Sequence, residues 1–126
     1  MSAAAPCLAA FVRGAVAARE FPHAEHVRLG FEMLRQHDFA ESVLHYSRAL
    51  RTLTARAGKP QAFNQTITVA FLALIAQHRH AHPGDDFAGF TARHPELFDP
   101  GVLLRWYTPE QLHSPLAREA FLLPAP

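Results

Sequence analysis

A chain of 126 residues with 49% hydrophobic and 18% charged side chains is long enough to bury a core and too apolar for disorder, and it fits one helical domain over residues 1–126. Twelve basic against eleven acidic residues leave a formal charge of +1, which offers no basic face for nucleic acid, and no run of about eighteen apolar residues suggests a membrane span. The alanine-rich start has no basic stretch before its apolar part and is interrupted by Arg13, and Cys7 stands alone, so a cytoplasmic protein without leader or disulfide is expected.

Leu8, Phe11, Val12, Ala15 and Val16 recur at helical spacing and predict a first helix from about Ala3 to Arg19, with Cys7 as a small apolar residue within it. Phe21-Pro22 breaks the pattern, and Pro22 suits the first position of a second helix whose stripe is Val27, Gly30, Phe31 and Leu34, ending near Gln36. Asp38 with Glu41 resembles a capping box for a third helix that would bury Val43, Leu44, Tyr46, Leu50 and Leu53 and stop at Gly58 and Pro60. The fourth helix, from Gln61 or Asn64 to His80, is apolar on nearly every side, as a central helix would be. Its β-branched run Thr66-Ile67-Thr68-Val69 could be read as a strand, but its length and the lack of a partner strand favour the helix.

Beyond Pro83-Gly84 the chain changes character. Asp85 or Asp86 can cap a short helix holding Phe87 and Phe90. Pro95, Pro100, Pro109 and Pro115 then cut the chain into pieces, with helical turns expected at Val102–Tyr107 and Pro115–Phe121. Trp106 and Tyr107 should pack those pieces onto the bundle, and the end, Leu122 to Pro126, should lie across it as an extended segment. The fold expected is an all-α bundle of about four main helices with short C-terminal helical pieces and a Pro-rich tail.

No phosphate loop, nucleophile elbow, HExxH or paired cysteine is present. Nine histidines stand out, and His23 and His26 most of all. Three residues apart at a helix start, both rings project beside the apolar stripe, where they can share a metal ion or hold a ligand. The positive end of the helix favours their neutral forms. Against this stands a structural role, with each ring hydrogen-bonded to a nearby carbonyl. Asn64, Thr66 and Thr68 place polar groups in the greasiest helix; they cap it or face a polar pocket. Thr66 and Thr68, two apart, do not share one helix face. His78, His80 and His82 read as an exposed helix end open to adventitious metal, His45 as the edge of the third helix, and His37, His94 and His113 as residues of connections. Arg28 and Arg118 could hold an anionic ligand or be solvated charges.

With Phe21-x-His23-x-x-His26-Val27, Thr66-Ile67-Thr68, Trp106-Tyr107 and Ala117 to Phe121 in view, the chain resembles, from about Phe21 to Leu123, a family of short uncharacterised bacterial helical proteins. Members carry histidine where this chain has Asn64, so the resemblance implies that a shared three-histidine site would lack one ligand here. It implies no reaction and no substrate.

Two functions follow as expectations. One is binding of a small molecule or metal ion between the second and fourth helices, contacted by His23 and His26 with Asn64, Thr66 and Thr68 nearby; an enzyme built there would use one imidazole as general base and Asn64 or a threonine to orient the substrate. The other is a non-catalytic adaptor whose apolar face docks a partner or another copy, so that a homo-oligomer is open.

Overall fold

The computed structural model describes residues 6–125, and every regular element among them is helical. The α-helices are α1 (Leu8–Val12), α2 (His23–Gln36), α3 (Phe39–Arg56), α4 (Gln65–Ala81), α5 (Phe87–Arg93), α6 (Pro109–Leu112) and α7 (Pro115–Glu119), with 3-10 turns at Ala18–Glu20, Pro60–Ala62, Pro95–Phe98 and Pro100–Arg105. This is the all-α bundle expected: α4 packs against both α2 and α3, and α1 lies over those two. None of the helices among the described residues is long and apolar enough to cross a membrane.

The first helix is much shorter than its composition suggests. Alanine favours helix throughout this stretch, but Gly14 at φ +78° reverses the chain. Its N–H donates to the Phe11 carbonyl and the Ala15 N–H to that of Ala10, at 3.1 and 2.9 Å. These two bonds satisfy the last carbonyls and close the helix. The same pair of bonds, Gly58 to Ala55 and Lys59 to Thr54, closes α3 around Gly58 at φ +74°. Cys7 is not inside α1 but at its N-cap, exposed, with Sγ accepting from the Ala10 N–H at 3.4 Å. Residues 3–5 of the expected helix lie outside the described residues.

In α2 the expected stripe Val27, Gly30, Phe31 and Leu34 is buried, and Leu29 and Met33 are buried beside it. Pro22 stands one place earlier than expected, as N-cap, its carbonyl accepting from the Glu25 and His26 amides. Gly30 faces α4 closely: a Cβ there would lie 3.0 Å from Ile75 Cδ1 and 3.3 Å from Leu72 Cδ2. The buried face of α3 is Ser42, Tyr46, Ala49, Leu50 and Leu53, with Ser47 beside it. Leu44, expected inside, is 45% exposed, because it is about 200° around the helix from both Ser42 and Tyr46. Asp38 caps α3 through the Glu41 amide at 2.8 Å, but the Glu41 carboxylate turns to His37 rather than completing a box. Along α4 no residue from Gln65 to Ala76 is exposed, as its uniformly apolar sequence requires.

The last third is held by caps and polar clamps. Asp86, Asp99, Thr108 and Ser114 each accept a backbone N–H at the start of a short piece, and Pro95, Pro100, Pro109 and Pro115 stand in first turns that need no donor there. The expected Val102–Tyr107 turn is the 3-10 turn Pro100–Arg105. Of the aromatic pair only Tyr107 packs inside; Trp106 is 44% exposed. The tail runs extended against α4 as expected. Thr66 Oγ1 donates to the Ala120 carbonyl at 2.8 Å and accepts from the Leu122 N–H at 2.9 Å, while Tyr107 Oη donates to the Leu122 carbonyl at 2.7 Å.

Candidate functional site

Where α2, α3 and α4 meet, their side chains leave a cavity of about 400 Å³. Val27 of α2, Leu50 and Leu53 of α3, and Phe71, Leu72 and Ile75 of α4 supply apolar wall. The exposed lining residues Ala18, Ala62 and Pro100 form the rim, each contributed by a different 3-10 turn. No Lys, Arg, Asp or Glu lines the space. The polar groups facing it are His23, His26, Tyr46, Thr54, Asn64 and Thr68.

His23 opens α2, and His26 follows one turn later, so both imidazoles leave the same side of the helix and line one cavity. Their ring centroids are 6.1 Å apart at 34°. His23 Nε2 lies 2.9 Å from the Leu97 carbonyl. A carbonyl only accepts, so Nε2 carries a proton in this contact, and in the neutral ring Nδ1 is the acceptor. The Phe71 ring meets this imidazole edge-on at 5.1 Å. His26 stacks on Phe21, centroids 4.0 Å apart. Burial, with the adjacent His23 ring next in importance, lowers its pKa from 6.5 to about 4 against an opposing pull from the Phe21 backbone. Desolvation penalises the charged imidazolium, so the ring is neutral at physiological pH.

The remaining polar groups are largely committed to the fold. Asn64 caps α4, Oδ1 accepting from the Ile67 N–H at 3.0 Å, while its Nδ2 donates to the Leu112 carbonyl at 2.6 Å. Thr68 donates back to the Asn64 carbonyl at 2.8 Å. Tyr46 Oη donates to the His26 carbonyl at 2.9 Å, and its pKa is pushed up by complete burial. The hydroxyl protons of Tyr46 and Thr68 are used and their lone pairs remain, while Asn64 Nδ2 keeps a second hydrogen. Thr66, grouped with the others from sequence, faces the tail rather than the cavity. Two threonines two residues apart are both buried because α4 is covered on both sides.

No third His, Cys, Asp or Glu joins His23 and His26 within ligand reach among the described residues. Such trios occur elsewhere, at His37, Glu41 and His45, and at His78, His94 and Glu96. The second departs from the sequence reading. His78 is not a free helix end but stacks on His94, centroids 3.8 Å apart, and burial, then the His94 ring, lower its pKa. Neither arginine reaches the cavity: Arg28 bonds Glu25 at 2.6 Å and the Pro6 carbonyl, and Arg118 is exposed.

Tyr46, Phe71 and the rim were not singled out from sequence. A tyrosine on a buried helical face was the available clue, since its hydroxyl demands a partner there. The rim residues are small or lie in turns, and carry no sequence pattern. No family model, curated protein or solved structure matches the chain.

Proposed function

We propose that the protein binds a small, uncharged, mainly apolar molecule that carries a hydrogen-bond donor such as a hydroxyl, held in the cavity with His23 and His26 as its polar contacts. The observation that carries this reading is the cavity itself: about 400 Å³ of apolar space without a charged side chain, within the range of ligand pockets. Its polar lining includes acceptors with free lone pairs. The Nδ1 lone pair of His23 and the free lone pairs of Thr68 ask for a donor on the ligand, because their own protons are held by Leu97 and Asn64. A buried donor matched to such an acceptor is worth more than its area, and a ligand lacking it leaves the acceptor unpaired. A charged ligand would have no counter-charge. A metal ion would find two imidazoles and, among the described residues, no third His, Cys, Asp or Glu in reach, which supports the small-molecule reading over a metal in this cavity.

Calorimetric or fluorescence titration with three bicyclic probes of similar size tests it. 2-Naphthol should bind saturably at one site. 2-Methoxynaphthalene, which cannot donate, should bind at least about tenfold more weakly, and 2-naphthoate more weakly still. His23→Ala should erase the preference for naphthol over its methyl ether. Equal binding of all three, or tightest binding of the anion, would sink the proposal.

A further inference from the structure

A second site is carried by residues at the far end of α4. His78 projects from its last turn, His94 caps α5, and Glu96 follows in the 3-10 turn Pro95–Phe98. One ligand atom from each lies within 4.8 Å of the others. Glu96 Oε1 is 3.8 Å from His78 Nε2 and 3.5 Å from His94 Nδ1. Donors around a tetrahedral zinc at about 2.1 Å lie about 3.4 Å apart, so the spacing needs little contraction. His82, one helical turn beyond His78, brings a further ring to within 6.2 Å of His94, centroid to centroid.

Three features point to a cation. Neither His78 nor His94 has a side-chain hydrogen bond among those formed by the described residues, although a carboxylate sits beside both. His94 Nε2 is the single buried side-chain N or O atom without a partner among the described residues, so no hydrogen bond through it holds this ring, whose other nitrogen, Nδ1, is the one beside Glu96. The cluster also sits at the C-terminal end of a long helix, where the backbone carbonyls favour positive charge.

We propose that His78, His94 and Glu96 bind a divalent first-row cation, with Zn²⁺ the best match to two imidazoles and a carboxylate, and with the fourth position left to water or His82. The two rings now stack at 17°, and parallel rings cannot both aim in-plane lone pairs at one ion. Binding therefore turns an imidazole about its Cβ–Cγ bond, and the more exposed His78, 30% against 13% for His94, has more room to do so. The site is separate from the cavity and stands whether or not the cavity binds a ligand.

The test is equilibrium dialysis of untagged protein against Zn²⁺ alone, with Co²⁺ absorption reporting coordination geometry. One equivalent of Zn²⁺ is expected, with a tetrahedral Co²⁺ spectrum. His78→Ala and His94→Ala should each weaken binding at least about tenfold, and E96Q should weaken it without disturbing the fold, which circular dichroism verifies. If His94→Ala fails to fold, His78→Ala and E96Q carry the test. His23→Ala and the double variant of His37 and His45 to Ala should leave the stoichiometry unchanged. No saturable binding, binding unaffected by His78→Ala and E96Q, or loss in the His37/His45 or His23 variants would overturn the proposal.

Discussion

Among the imidazole pairs of this molecule, His23 with His26 and His78 with His94 stand in chemically different surroundings. The first pair lies against apolar side chains, its leading ring held by the Leu97 carbonyl, with no carboxylate lining the space. The second shares a carboxylate and has no hydrogen bond to fix it. A fixed tautomer in an apolar wall makes a neutral hydrogen-bonding group, whereas unfixed rings around a carboxylate make a place for a cation. The two regions are joined by one turn of chain, since Glu96 of the second precedes Leu97, whose carbonyl orients the first.

The largest expected effect attacks the wall of the first region. Leu72→Ala removes a buried residue that lines the cavity and should cost about 2–5 kcal/mol in urea unfolding, while admitting bulkier probes than the wild-type protein does. Next comes acid. The unfolded chain protonates His26 near pH 6.5 and the folded one near pH 4, so between these values the unfolded state binds more protons. Stability should be unaffected above pH 6.5, fall as pH drops through 6.5, and level off below about 4. The loss from His26 should reach at most about 3.5 kcal/mol. His26→Phe, which keeps a ring against Phe21, should flatten that part of a pH series of denaturation curves; an unchanged slope would place the effect elsewhere.

Smaller effects separate the pairs directly. His23→Phe keeps an aromatic ring but leaves the Leu97 carbonyl without its donor, a cost of about 1–3 kcal/mol. His94→Phe removes an unpartnered nitrogen and keeps the stack on His78, so thermal unfolding without metal should change by no more than about 0.5 kcal/mol, with stabilisation the expected sign. If both substitutions cost the same, the contrast drawn between the two regions fails.

Much of this was legible before any coordinates. Helices α2, α3 and α4 follow from sustained 3.6-residue periodicity and from stops at Gly58 and Pro83-Gly84. The His23 and His26 spacing pointed to one shared face, and both rings do line one cavity. The first helix was overdrawn because alanine propensity extends on both sides of Gly14, and a single glycine turning left-handed outweighs it. Residue type alone gives Trp106 and Tyr107 the same packing role, yet only Tyr107 has the inward register. What stayed hidden depends on distance along the chain. The bond fixing His23 spans 74 residues, and the partner of His78 arrives from beyond a proline-glycine break. Local pattern encodes neither.

The most direct test is an amide-resolved NMR titration with 2-naphthol, repeated on Ala62→Trp, which places a large ring on the rim of the cavity. Saturating shifts are expected, confined to the segments that line the cavity, Phe21–Val27, Tyr46–Thr54 and Ala62–Ile75 with the rim turns, and they should disappear in the Trp variant while the fold persists. Shifts scattered over the surface, or undiminished by the Trp variant, would contradict it.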